Sequence, residues 1–497
     1  MTSTVKRVVV LGRGAAAWLT ALGLVKAFPH VALSVMVVVD GRAPGRGRVI
    51  STLPSARQLH RLLGLDEREL ITKTGAAFKI GARHDDWAGP GSSFIHGYGE
   101  IGVEFRGVPF YKYLVKRAIA GTPLLVEECA LAAAAVKAER FGAPSQNPNS
   151  IYGTYTYGYH LEETAYTAFV RAKAVEAGVA VIEDAVLAGI SRGGDGCIEA
   201  LTLDDGRSVA GDMFVDCSET GALIERVAPR GVEDWSGWLG ADRMLTARAV
   251  NSSLAPCTQT KAIAAGWMSR SPLQTGEGFA VCYNAQSLSD EKALEQASGF
   301  AGRQLEHISM EPLRAGRRHA FWVKNCIAVG ASAVMLEPLH GTDLQIVQLG
   351  LSNLVSLFPL QRGEGVEAAE YNRLMAEHAI GLRDFVIAHY RLSGHPLTKL
   401  ANAPMPDRLR YKLDTFASTG HLLIFDFESF EAPDWTSLLF GLGVAPTSIG
   451  LHFKLHLDAA DPRGVEQMTQ SIRTAVQSMP PQSEFLRMAK MTAQASA

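Results

Sequence analysis

The chain has 497 residues, 47% of them hydrophobic and 20% charged, a composition ordinary for an enzyme that buries a sizeable core. With 48 basic against 50 acidic residues its net charge is −2, so there is no bulk electrostatic case for nucleic acid or an anionic membrane as partner. Six cysteines, at 129, 197, 217, 257, 282 and 326, form no CxxC pair, which argues against zinc or a disulfide framework and fits a cytoplasmic, reducing location.

Taken in chain order, Lys6-Arg7 and the apolar run after it could mimic a secretion signal. Arg13 interrupts that run, and the residues read better as a strand and phosphate loop. Val8 to Leu11 is a short β-branched run of the kind found in buried parallel strands. Gly12-Arg13-Gly14-Ala15-Ala16-Ala17 follows at once, and Trp18 to Phe28 has helical spacing. In this context Gly12 allows a tight turn, Gly14 lets the backbone approach a pyrophosphate, and the helix N-terminus faces the negative charge. Val35 to Val39 reads as a second strand ending in Asp40, an acid placed to accept hydrogen bonds from a ribose. Loop, strand and acid predict dinucleotide binding, and this unit alone does not decide between FAD and NAD.

Further on, Gly142 to Ser150 reads as a surface loop, and Tyr152, Tyr155, Tyr157 and Tyr159 as one face of a strand or an exposed ribbon. Val179 to Glu183, Val186 to Ile190 and Ile198 to Leu203 read as strands, with a turn at Asp204-Asp205-Gly206. Met213 to Ser218 and Asn325 to Gly330 are strands ending in polar or glycine turns, and Met310 to Arg318 reads as a solvated basic turn. Leu344 to Phe358 has the pattern of a long helix, 365–480 is mainly helical, and the tail after Pro480 is expected to be loosely held.

Seven ordered blocks carry a family resemblance: Gly12 to Trp18, Ser51-Thr52-Leu53-Pro54, Phe78-Lys79-Ile80-Gly81, His96-Gly97-Tyr98-Gly99, Tyr159-His160-Leu161, Phe214 to Ser218, and Leu336-Glu337-Pro338-Leu339. Tyr371-Asn372-Arg373 and Arg383-Asp384-Phe385 extend it. From about Val8 to about Lys454 the chain resembles the flavin-dependent tryptophan halogenases, as a divergent member. The resemblance implies an α/β fold, with a Rossmann-like FAD-binding domain of the flavin monooxygenase type and an interleaved, mostly helical substrate-binding lobe. The expected division is 1–360, the FAD-binding box with interleaved insertions, and 361–497, the mainly helical lobe.

It also implies the chemistry. Reduced FAD, supplied by a separate flavin reductase, gives hypohalous acid with oxygen and a halide, chloride or bromide. Lys79 receives the oxidised halogen and presents it to a small aromatic, tryptophan- or indole-like substrate. Gly12, Arg13, Gly14, Ala15, Ala16, Asp40, Val186, Gly330, Ala331 and Leu344 would hold FAD. Thr342 and Asp343 would hold halide through their backbone amides, and His96 and Tyr98 would line the substrate pocket. A homodimer is a family-based expectation; no metal is expected.

Four departures from the family pattern stand out. Its active-site glutamate is replaced by His340, which can act as a base but cannot give Lys79 a compensating negative charge. A buried lysine without that charge should deprotonate more easily. Asp343 stands where a small neutral residue is usual, and a carboxylate about 4 Å from chloride costs about 1 kcal/mol in water and about 4 kcal/mol at an effective dielectric near 20. The block Trp267-Met268-Ser269-Arg270-Ser271-Pro272 lacks the family's second tryptophan, and Val49-Ile50 replaces its Gly-Glu before the flavin strap. The leading expectation is halogenation with Lys79 and His340 catalytic. The alternatives are a monooxygenase that ignores halide and a catalytically reduced FAD-binding paralogue.

Overall fold

The computed structural model describes residues 5–40, 48–229, 231–250, 253–361, 363, 365–458 and 462–495. The chain divides into two compact units, each assembled from three separate stretches. The first takes Met1–Gly75, Leu161–Ser236 and Leu313–Ile380; the second takes Ala76–His160, Gly237–Pro312 and Gly381–Ala497.

The first unit is built on a six-stranded sheet. Its order is Trp322–Val323, Cys326–Ala328, Met213–Asp216, Arg7–Leu11, Ser34–Asp40 and Ala180–Ala185. All neighbours run parallel except the Trp322–Val323 edge. Val8, Val9 and Val10 are buried, as a strand covered on both faces requires. The expected loop joins this strand to the helix Ala15–Ala27, which packs so closely on the helix Thr342–Ser356 that a Cβ on Gly23 would lie 2.6 Å from a Leu351 methyl. Asp216 ends its strand wholly buried and organises the next loop, accepting from the Ser218, Leu223 and Ile224 amides at 2.9, 2.7 and 2.8 Å.

A three-stranded antiparallel sheet, Leu187–Arg192, Ile198–Leu203 and Ser208–Ala210, turns through the expected Asp204-Asp205-Gly206 segment. The basic stretch at 310–318 is not a solvated turn. Glu306–Pro312 and Gly316–Arg318 are strands, Arg317 pairs with Glu233 at 2.7 Å, and buried Arg318 pairs with Glu225. Fixed carboxylates offset the desolvation that would otherwise keep these guanidiniums at the surface.

The second unit holds a seven-stranded sheet in the order Glu306–Pro312, Arg243–Ala249, Gly276–Tyr283, Gly266–Leu273, Thr258–Ile263, Gly81–Asp85 and Ser93–Gly97. Only the Thr258–Ile263 and Gly81–Asp85 pair is parallel. The helix Asp290–Ala301 lays Ala293, Ala297 and Ala301, one turn apart, into a core with Leu245, Phe279 and Val281. Beside the sheet, Ala77–Lys79 pairs antiparallel with Gly158–Glu162, Phe78 opposite Tyr159 and Lys79 opposite Gly158.

The tyrosine run is neither an exposed ribbon nor one strand face. Tyr152 lies in a short turn, Tyr155, Tyr157 and Tyr159 are buried, and Phe78 stacks on Phe141 at 4.4 Å with Tyr157 and Phe485 edge-on. Aromatic burial outweighs the alternation in the sequence. The segment after Pro480 is likewise not loose. It is the helix Gln482–Ala495, whose buried Gln482 side chain accepts from the Phe78 amide at 2.7 Å and donates to the Leu254 carbonyl at 2.7 Å. None of the six cysteines is in a disulfide and all are buried, and among the described residues no helix is long and apolar enough to cross a membrane.

Candidate functional site

The nucleotide loop is built as its glycines require. Gly12 has φ +150°, and a Cβ there would sit 2.8 Å from the Cys217 carbonyl oxygen. Gly14 begins the Ala15–Ala27 helix with extended backbone, and a Cβ on it meets no protein atom within 4 Å. That open cradle faces helix amides that have no acceptor within the helix. The Arg13 side chain has Nη1 buried without a hydrogen-bond partner, a donor suited to phosphate oxygen. Gly330, at φ +77°, comes so close that a Cβ there would lie 3.3 Å from the Ala16 methyl. These residues fit the pyrophosphate of a dinucleotide such as FAD.

The other expected cofactor residues fall around this sheet. Asp40 ends its strand opposite Ala185, so Val186 is the next residue along; the Asp40 side chain lies outside the described residues. Val186 is the link between two strands; its carbonyl accepts from the Asp204 amide at 3.0 Å, and its own amide donates to Asp204 Oδ1 at 3.2 Å. Ala331 is exposed in the turn Gly330–Ser332, and Leu344 is buried in the first turn of the Thr342–Ser356 helix.

The Thr342–Ser356 helix also carries the expected halide residues. Gly341 precedes it in the left-handed conformation, φ 73° and ψ 41°, packed so tightly that a Cβ would lie 2.2 Å from the Ser51 carbonyl oxygen. Thr342 is wholly buried and its Oγ1 has no hydrogen-bond partner. Asp343, the departure from the family pattern, is in an ion pair with Arg48. Burial is opposed at Arg48 by three carboxylates, Asp343 foremost and then Glu163 and Glu219, which together raise its pKa. His340 and Glu337 are wholly buried in the same unit.

Lys79 belongs to the second unit and is wholly buried. Its Nζ lies 5.1 Å from the centroid of the Tyr98 ring. The Tyr98 ring stands edge-on to His96 at 5.8 Å, and His96 Nε2 meets Asp434 Oδ1 at 2.6 Å. The structure thus brings together Lys79, Tyr98 and His96, three residues singled out from sequence. Loss of water is the largest influence on Lys79 and pushes its pKa down to about 7. Burial also pushes the Cys257 thiol beside it up to about 12, the Tyr98 phenol well above its usual range, and the His160 imidazole well below. His160 is held by Thr258 Oγ1 at 2.8 Å and shares the face of Lys79 on the paired strands. At neutral pH these neighbours are uncharged, and Lys79 lies near its midpoint.

Sequence reasoning missed Arg48, Asp434 and the aromatic wall behind His96. In that wall Phe385 stacks on Phe430 at 3.8 Å, with Trp435 edge-on at 4.9 Å. Asp434 had one local signal, since Glu431 and Asp434 form a capping box at the head of the helix Ala432–Gly441. Arg48 had none, because its partner is 295 residues away.

Two predictions follow from this geometry. Gly12→Ala should lower the Tm of the cofactor-free protein, whereas Gly14→Val should leave that Tm unchanged and weaken FAD binding by about tenfold or more. Thermal melts and an FAD titration decide it, and unaltered FAD affinity in Gly14→Val would remove the cradle assignment. For Lys79, the folded pKa is near 7 and the ordinary value is 10.5, so folding expels a proton between those two values and holds a desolvated charge below them. The penalty is absent above pH 10.5, grows as pH falls, and is fully developed below about pH 7, on the order of 5 kcal/mol. Lys79→Met should therefore raise Tm at pH 7 and lose most of the gain by pH 10; equal gains at both values would contradict the shift.

A family model for tryptophan halogenase matches residues 7–454. The tryptophan 7-halogenase KtzQ of Kutzneria sp. (strain 744) is 28% identical over 421 residues, 78% of this chain and 76% of that one. Among solved structures, BrvH, a flavin-dependent halogenase from Brevundimonas sp. BAL3, shares 31% identity over 98% of this chain and 99% of its own, with a TM-score of 0.91. Xcc4156, a flavin-dependent halogenase from Xanthomonas campestris, shares 29% over 98% and 99%, with a TM-score of 0.92. The resemblance first carried by seven short blocks thus extends over nearly the whole chain, which belongs to the tryptophan halogenase family of FAD-dependent enzymes.

Proposed function

We propose that the protein halogenates an electron-rich, indole-like small molecule, with Lys79 as halogen carrier and His340 as base. The single observation that carries this reading is a wholly buried lysine whose pKa burial brings down to about 7, beside the buried ring of Tyr98. Reduced FAD, brought by a separate reductase, supplies oxidised halogen when it is bound with oxygen and halide. Gly12, Arg13, Gly14, Ala15 and Ala16 hold its pyrophosphate, and Asp40, Val186, Gly330, Ala331 and Leu344 complete the cofactor site. The Thr342 and Asp343 amides hold halide, His96 and Tyr98 line the substrate pocket, and the working form is a homodimer.

The neutral amine of Lys79 attacks hypohalous acid, forming an N–halogen bond and releasing water. The ring then takes the halogen from nitrogen, its carbon–hydrogen bond gives up a proton to the base, and the base passes that proton to the nitrogen, which regenerates the amine. Burial favours this route because it supplies free amine near neutral pH, where an exposed lysine is almost wholly protonated. Ser269, where the family has its second tryptophan, favours oxygenation without halide as the other outcome.

The test supplies FAD, a flavin reductase, NADH, oxygen and bromide, with an indole or phenol as trap. Bromide-dependent product is expected from the wild type, its rate rising with pH through about 7, because the amine form dominates above that value. Lys79→Ala and the permanently charged Lys79→Arg should both lose about 100-fold or more. Undiminished halogenation by Lys79→Ala would sink the carrier role, and activity in Lys79→Arg alone would mean that the side chain acts as a hydrogen-bond donor. Hydroxylated product independent of bromide would establish the oxygenase.

A further inference from the structure

We infer that Arg48 is a positioning residue that sets halide affinity: by pairing with Asp343 it cancels a carboxylate at the mouth of the anion site. The inference rests on the halogenase reading, in which Thr342 and Asp343 hold halide. The first-turn amides of the Thr342–Ser356 helix have no acceptor within the helix, and the buried Thr342 hydroxyl beside them has no partner. Both features suit a bound anion; a bare carboxylate at Asp343 opposes one. Arg48 supplies the missing positive charge, and the two side chains are 29% and 28% exposed, so solvent screens the pair only partly.

The pair is held by backbone on both sides. The Arg48 carbonyl accepts from the Glu163 amide at 3.2 Å, at the start of the helix Glu163–Glu176. The strand Val49–Ser51 follows directly and packs on Gly341. Arg48 thus lies across two helix N-termini, with its main chain on one and its guanidinium on the other. Glu163 and Glu219 also feel its charge. Desolvation pushes Glu163 up toward its neutral form, against the pull of Arg48, and the guanidinium hydrogen bond goes to Asp343. Position 343 therefore presents a neutral pair, where the family pattern reaches the same end with a small uncharged residue.

The experiment measures bromide twice on the FAD-loaded protein: as a Kd, from the change in flavin absorbance on titration, and as a KM in the coupled assay. Arg48→Met should raise both by about tenfold or more, the loss falling on KM rather than kcat, while Arg48→Lys should keep most of the affinity. Adding Asp343→Ser to Arg48→Met should restore Kd and KM to within about threefold of wild type, because the charge to be cancelled is gone. Should Arg48→Met fail to fold, Asp343→Ser alone carries the test: Arg48 is then left uncompensated and bromide should bind more tightly. An unchanged Kd in Arg48→Met, a double variant as impaired as the single one, or no effect of Asp343→Ser would overturn the inference. A wild type that binds bromide without halogenating defeats the functional reading and leaves the titration to judge Arg48 by itself.

Discussion

An ammonium group taken out of water must find a counter-charge or lose its proton, and Lys79 is placed where that choice is nearly even. Its strand is only three residues long, yet none of them is solvent-exposed. Desolvation drives the lysine down while the groups coupled to it, Cys257 and His160, are themselves held neutral by burial. Burial of one basic nitrogen among uncharged groups thus favours, near neutral pH, the free amine that the proposed halogen transfer calls for.

In the proposed reading the first unit meets a different electrostatic problem, how to receive anions with little net charge. It does so twice with the same device, a glycine before a helix whose first amides are unspent. Gly14 opens a cradle at one helix, and Gly341 turns the chain into another against the Ser51 backbone. Side chains then adjust what the backbone provides: Arg13 adds a buried donor at the first, and Arg48 masks a carboxylate at the second.

What could be read from sequence were the features whose physics is local. The Gly12–Ala17 loop announces itself because strand, turn and helix are consecutive, and the 344–358 periodicity finds its helix within two residues at each end. Lys79, Tyr98 and His96 were found through motif blocks and meet in space. Contacts made across the chain could not be read. The strands between 243 and 283 escape because four of the sheet's seven strands lie within that stretch with no helix between them to mark the period. Arg48 with Asp343 and His96 with Asp434 are separated by 295 and 338 residues. The tyrosine run was misread because alternation alone does not reveal that Phe141 and Phe78 pack against it.

Gln482 has a consequence for how the lysine strand is held. One amide side chain accepts from Phe78, the residue before Lys79, and donates to Leu254, four residues before the strand Thr258–Ile263. Phe485, on the same helix, covers Phe78. The strand Ala77–Lys79 is therefore clasped by a residue 404 positions beyond Phe78. A chain cut before Gln482 would leave the Phe78 amide and the Leu254 carbonyl without this clasp, and Phe78 without the Phe485 side of its cover, one residue from Lys79.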